Sequence, residues 1–127
     1  MSAIITNIDA RNDLTIHTLE GPISSNDIIT TIEEYYRGQP TTHIIWDFTA
    51  ATLNQCRDED IQAIAVAANK HSKAWPDSKT ALVLPGDLQF GLGRMYETFA
   101  ELENGATQVQ SFRGMTEAQA WLAKKPL

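Results

Sequence analysis

The chain has one cysteine, Cys56, in 127 residues, so no intrachain disulfide can staple it. No apolar run approaches the roughly 20 residues of a membrane helix. The opening stretch, MSAIITNIDARND, has neither a basic segment nor a long apolar core, which argues against a secretory signal. Positive charge is scarce: 10 Lys and Arg stand against 16 Asp and Glu, for a net charge of −6. No basic cluster exceeds the Lys124–Lys125 pair. Nucleic acid and anionic membranes both require a basic stripe, so neither is expected as a partner. The expected setting is a reducing cytoplasm. His17, His43 and His71 have no H-x-x-x-H or H-E-x-x-H spacing, so neither a metal site nor another cofactor is expected. No G-x-S-x-G elbow occurs either, and no catalytic constellation is visible.

What is present is a regular alternation of apolar runs and amphipathic stretches, of a length that suits one domain spanning 1–127. Ala3–Ile8 and Leu14–Gly21 are β-rich and separated by the turn residues DARND, which predicts an antiparallel hairpin. SSNDIITTIEEYYRGQP predicts a helix. Ser24 and Asp27 resemble a capping box, Ile28 and Ile32 form a stripe, and Gly38 and Pro40 form a stop. Thr42–Phe48 is a near-continuous apolar run, as expected of a strand buried on both faces, and TAATLNQC follows as a loop. RDEDIQAIAVAANKHSKAW predicts a second helix, with three acids in its first turn and Ile61, Ile64, Ala65, Ala68 and Trp75 on one face. KTALVLP is a further buried strand. A helix containing Gly91 and Gly93 runs on to Asn104–Gly105. TQVQSF is a weaker edge strand, and MTEAQAWLAKK is a last helix with Thr116 and Gln119 as a capping box. The order ββαβαβαβα implies an α/β fold with a mostly parallel sheet and right-handed crossovers.

This order, with IIWDFTAATL and ALVLPGDLQFGLGRMYE, resembles the STAS-like superfamily of sulfate-transporter and anti-sigma-factor-antagonist domains. It is most similar to the small stand-alone bacterial members. The resemblance implies a mixed sheet of about five strands, an initial antiparallel hairpin followed by parallel β-α units, and about four helices. It also implies a non-enzymatic binding or regulatory role. In the antagonist branch a serine before the second helix is phosphorylated. Here that region is LNQCRDEDI, and the Asp-Ser-Ser/Thr-Gly element is absent. Cys56 and Arg57 stand about where the serines would be. The resemblance therefore carries no phosphorylated serine onto this chain.

The stretch LPGDLQFGLGRMYE raises a separate question, because each glycine inside a helix costs about 1 kcal/mol. Gly86 and Gly91 have phosphate-loop spacing, but Leu92-Gly93 replaces the Lys-Ser/Thr that such a loop requires. A helical wheel puts Leu88, Leu92, Met95, Phe99 and Leu102 on one stripe, taken as the core face, with Gly91 at its margin for close packing. Gly93 then falls on the outward side with Phe90, Arg94 and Glu97. Two accounts of that side stay open. One is an Arg94–Glu97 pair with Arg94 stacked on Phe90. The other is a partner-binding surface of Phe90, Gly93, Arg94 and Glu97, for another protein or a second copy of the chain.

A second candidate region is the rim beyond the strand carboxyl ends, where open α/β sheets bind ligands. Asp47, Thr49, Cys56 and Arg57 would form a small-ligand site there, making the alternative function a carrier of a small apolar or anionic ligand. Asp47 has the competing role of a loop cap. Cys56 precedes a helix start, which favours a thiolate, but the acids at 58–60 oppose it, as in an inert thiol.

Overall fold

The structure is a computed structural model that describes residues 2–53, 56–75, 77–102 and 107–124. Its elements are β1 (Ala3–Asp9), β2 (Leu14–Pro22), α1 (Ser25–Arg37), β3 (His43–Thr52), α2 (Asp58–Ser72), β4 (Lys79–Val83), α3 (Asp87–Leu102), β5 (Gln108–Phe112) and α4 (Met115–Ala123). The five strands form one sheet in the order β1-β2-β3-β4-β5. β1 and β2 pair antiparallel and every later pair is parallel. The sheet is thus mixed, with the initial hairpin that the sequence predicts and TQVQSF at its edge.

Side-chain alternation on β3 sorts the core into two layers. Ile44, Trp46 and Phe48 join Leu19, Ile28, Ile32, Ile61, Ile64 and Leu82 on the face covered by α1, α2 and α3. Ile45 joins Ala81, Val83, Ala118 and Leu122 beneath α4 on the other face. The α1 capping box is as read from sequence. Ser24 Oγ accepts from Asp27 N at 3.1 Å, and Asp27 Oδ2 accepts from Ser24 N at 3.0 Å. Gly38 ends that helix by donating to the Glu34 and Tyr35 carbonyls.

Other boundaries move. β3 continues through Thr49–Thr52, so the first part of TAATLNQC is strand, and Asp47 lies inside it rather than at its end; residues 54 and 55 lie outside the described residues. α2 stops at Ser72, and Trp75 is 40 % exposed beyond it. α4 starts from Gly114 with no side-chain cap, so Thr116 and Gln119 make no capping box. Asn104–Gly105, read as the end of the glycine helix, falls outside the described residues.

The largest correction concerns α3. Its sheet-facing residues include buried Gly93 and Ala100, whereas Leu88 is 69 % and Leu102 71 % exposed. The two glycines exchange the roles read from the wheel. A Cβ at Gly93 would lie 2.4 Å from Leu84 Cδ1 and 2.6 Å from Ser111 Oγ, while one at Gly91 would meet nothing within 4 Å. The helix presses its backbone onto the sheet at Gly93. The middle of the expected stripe still turns to the core, where Leu92, Met95 and Phe99 pack half-buried, and only its two ends, Leu88 and Leu102, lie outside it.

Gly93→Ala should therefore destabilise the protein by about 1–3 kcal/mol through overpacking. Gly91→Ala should stabilise it by roughly 0.5–1 kcal/mol through helix propensity. Urea unfolding of both variants beside the wild type checks the pair. Equal effects would contradict this orientation of α3.

Candidate functional site

β2 and β3 carry a bulge that decides where the strand-end residues point. Thr18 pairs with Asp47 and Glu20 with Ala50, so β3 holds one residue more than β2 over this interval. The extra residue shifts the side-chain alternation. Trp46 and Phe48 before it, and Ala51 and Leu53 after it, consequently all enter the same core layer. Asp47 Oδ1 accepts from Thr49 N at 3.0 Å and from Thr49 Oγ1 at 2.5 Å. A bulge leaves a backbone N–H without a ladder partner, and the Asp47 carboxylate supplies one for Thr49. Asp47 is in this sense a local cap, the competing role allowed for it, though within a strand and not a loop.

The four proposed ligand residues are not gathered into one pocket. Asp47 lies on the Ile45 side of the sheet, beneath the α4 layer. Cys56 packs against the opposite layer and lines a cavity of about 50 Å³ together with Trp46, Phe48, Ile64, Gly93 and Tyr96. Burial, and secondarily Asp60, raises the Cys56 pKa, so the thiol stays protonated and unreactive. Arg57 is exposed at the N-cap of α2. Its N–H donates to Asp60 Oδ2 at 2.9 Å, and Asp60 Oδ1 accepts from Ser25 Oγ at 3.4 Å, tying the starts of α1 and α2 together.

The expected Arg94–Glu97 pair is present, but of the four helix residues only Arg94 faces fully outward. Arg94 pairs with Glu97 at 3.9 Å, with side chains 65 % and 20 % exposed. Glu97 also turns inward, where its Oε2 accepts from Ser111 N at 3.1 Å. Gly93 is buried and cannot form part of an outward surface. Phe90 is half-buried against the core, and the cation over it is Arg113, 4.3 Å from the ring centroid, rather than Arg94. Arg113 is held there by the Pro85 carbonyl at 3.2 Å and the Asp87 carboxylate at 2.5 Å. Gln89 Nε2 donates to the Ala51 carbonyl at 2.6 Å, joining the start of α3 to the end of β3. Arg113 and Gln89 escape a helical-wheel reading because each acts across sequence distances that no local spacing encodes.

A further cluster lies under α1. His17 is buried, its Nδ1 is 2.9 Å from Thr6 Oγ1, and its ring lies 4.2 Å from Trp46 and 5.6 Å from Tyr35. Tyr35 Oη in turn donates to the Thr41 carbonyl and accepts from Thr41 N, closing the α1–β3 connection. Burial lowers the His17 pKa from 6.5 to about 4. Burial likewise pushes Tyr36 up to about 12 and raises Tyr96 beyond the usual tyrosine range. Among the described residues no group of three His, Cys, Asp or Glu side chains is placed to hold a metal ion.

The histidine gives a signed pH dependence. Between pH 6.5 and 4 the unfolded chain binds the proton that folded His17 excludes. Stability should therefore fall as pH falls through this window, by up to about 1.4 kcal/mol per pH unit, and its contribution should be constant above 6.5. Urea midpoints of wild type and His17→Phe between pH 7.5 and 5 check this. The wild type should lose more than the variant, and parallel curves would contradict it.

With this geometry in place, comparisons with known proteins can be read. No family model matches the sequence, and no curated protein matches it. Solved structures do match it, two of them as follows. One is an uncharacterised protein of the DUF3478 family from Shewanella loihica, described as having a SpoIIAA-like fold. It has a TM-score of 0.57 and 18 % identity, covering 96 % of this chain and 93 % of that one. The other is the anti-sigma factor antagonist SpoIIAA in its unphosphorylated form. It has a TM-score of 0.55 and 15 % identity, covering 97 % of this chain and 100 % of that one. The mixed five-stranded sheet with its four helices is accordingly a STAS-like, SpoIIAA-like fold.

Proposed function

We propose that the chain is a non-enzymatic binding or regulatory module, cytoplasmic and folded as a single domain, that acts through protein–protein contacts. The surface it uses is the strand carboxyl-end rim, with Arg57 on the β3–α2 side and Arg94 and the Phe90–Arg113 stack on the α3 and β5 side. One observation carries this reading. The Gln89–Ala51 hydrogen bond fixes the end of β3 against the start of α3, so the two halves of the rim form a preorganised surface. The similarity to a solved anti-sigma factor antagonist supports a partner that is a protein. Regulation by serine phosphorylation is not part of the proposal, because Cys56 and Arg57 replace the serines and the Cys56 thiol is half-buried.

Arg57 and Arg94 are exposed, and reversing their charge leaves the core intact. Arg57→Glu/Arg94→Glu should lower recovery of a bound protein from a lysate of the source organism by about tenfold or more, the scale of a lost interfacial hot spot. The melting temperature should stay unchanged. Equal recovery by the double variant, quantified by mass spectrometry, would count against the rim as the binding surface.

A further inference from the structure

The sheet has two edges, and they are finished differently. β5 is short, and Glu97 covers it from α3 by accepting from Ser111 N at 3.1 Å. β1, at the other edge, runs for 7 residues, AIITNID, with no Lys, Pro or Gly and no bulge in its pairing with β2. Those are the devices that ordinarily blunt an edge strand. Its outward backbone N–H and C=O groups have no partner among the described residues, and they form a row that a further strand can join. Ile5 is 47 % and Ile8 59 % exposed, on opposite faces of the strand.

A groove of about 240 Å³ opens between this edge and α1. Ala3 and Ile4 line it from β1, and Asp27, Thr30 and Thr31 line it from α1. β1 is antiparallel to β2, and α1 is the crossover that returns the chain from β2 to the parallel β3. Edge strand and helix therefore run side by side in the same direction. A strand hydrogen-bonded to β1 would lie along this trough, the geometry of β-augmentation. Ile4, Thr6 and Ile8 pair with Leu19, His17 and Thr15, which are buried under α1, so alternate side chains of the added strand would neighbour Ile4 and Ile8 on that face.

We infer that the β1 edge takes an extended segment of a partner protein, with β-branched or aromatic side chains at alternate positions and basic residues among the others. The inference concerns a surface apart from the proposed rim and does not depend on it. The alternation follows from Ile4 and Ile8. The basic character follows from α1. Glu34 lies seven residues after Asp27 and so shares its flank of the helix, and the cation nearest that flank within α1 is Arg37 in the last turn. The trough is thus acidic along most of its length, which suits a cationic segment. The same charge argues against a second copy of the chain. Two-fold pairing of β1 with itself would bring two acidic flanks together in a protein of net charge −6.

Panning short random peptides displayed on phage against the wild type tests this. Enriched peptides should alternate β-branched or aromatic residues with others, carry Lys or Arg, and protect the β1 amides from hydrogen exchange when bound. Ile5→Lys/Ile8→Lys should keep the wild-type melting temperature, because both side chains are exposed. In fluorescence anisotropy it should weaken an enriched synthetic peptide by about tenfold or more, as edge lysines block strand addition. Glu34→Lys, also at an exposed position, should weaken the same peptide by a few fold. Absence of enrichment, or enriched peptides that bind the lysine variant equally well, overturns the proposal. So does a concentration-dependent dimer that the lysine variant abolishes, which would give the edge to a second copy. Arg57→Glu, confined to the rim, should leave peptide binding unchanged, so failure of the rim reading and failure of this one remain distinguishable.

Discussion

The contact of α3 with the sheet at Gly93 fixes much of the geometry of this protein. Leu84 and Ser111 occupy the space that a side chain there would need. Backbone therefore meets sheet directly, and the helix has little freedom to roll. Two hydrogen bonds hold it at that angle: Glu97 accepts the Ser111 N–H of the edge strand, and Asn69 of α2 donates to the Ala100 carbonyl. Once the rotation is set, Leu92 and Tyr96 line the core cavity, Phe90 lies near Arg113, and the ends of the apolar stripe, Leu88 and Leu102, are left exposed. A single absent side chain thus determines which residues the domain keeps and which it presents.

The β3 bulge does similar work at the strand ends. Without its extra residue, Ala51 and Leu53 would alternate to the opposite face from Trp46 and Phe48. With it, the strand delivers its last residues into the same core layer and holds the Ala51 carbonyl where Gln89 reaches it. Asp47 satisfies the N–H that the bulge frees. A residue first considered for ligand binding is in this way part of the scaffold. The rim it supports belongs to α2, α3 and the segment after β5, not to Asp47 itself.

Element order and local capping were legible in the sequence because they depend on near neighbours. Ser24 and Asp27 lie three residues apart and bond each other, and the apolar run from Ile44 to Phe48 could only be a buried strand. What was not legible depends on distant residues. The rotation of α3 was read only in part: Leu92, Met95 and Phe99 do pack inward, but the wheel put Gly93 outside and Leu88 and Leu102 within. The inward face also includes Gly93, Glu97 and Ala100, which allow close approach and pairing with an edge strand. The bulge has no marker beyond an Asp two residues before a Thr. The partnership of Phe90 with Arg113 spans elements that only the folded sheet brings together. The resemblance to STAS-like domains supplied the architecture correctly, but its phosphorylated serine has no counterpart at Cys56 and Arg57.

The outcome is an acidic α/β domain in which one helix closes onto the sheet through a glycine contact. The rotation of that helix is the central claim, and thiol labelling of single cysteines on a Cys56→Ala background reads it most directly. With α3 seated on Gly93, Leu102→Cys in dilute folded protein should react with a thiol reagent at close to the rate of the unfolded chain. Ala100→Cys, two residues earlier, should be strongly protected. Protection at 102 with free reaction at 100 would turn Leu102 inward and Ala100 outward and contradict the arrangement.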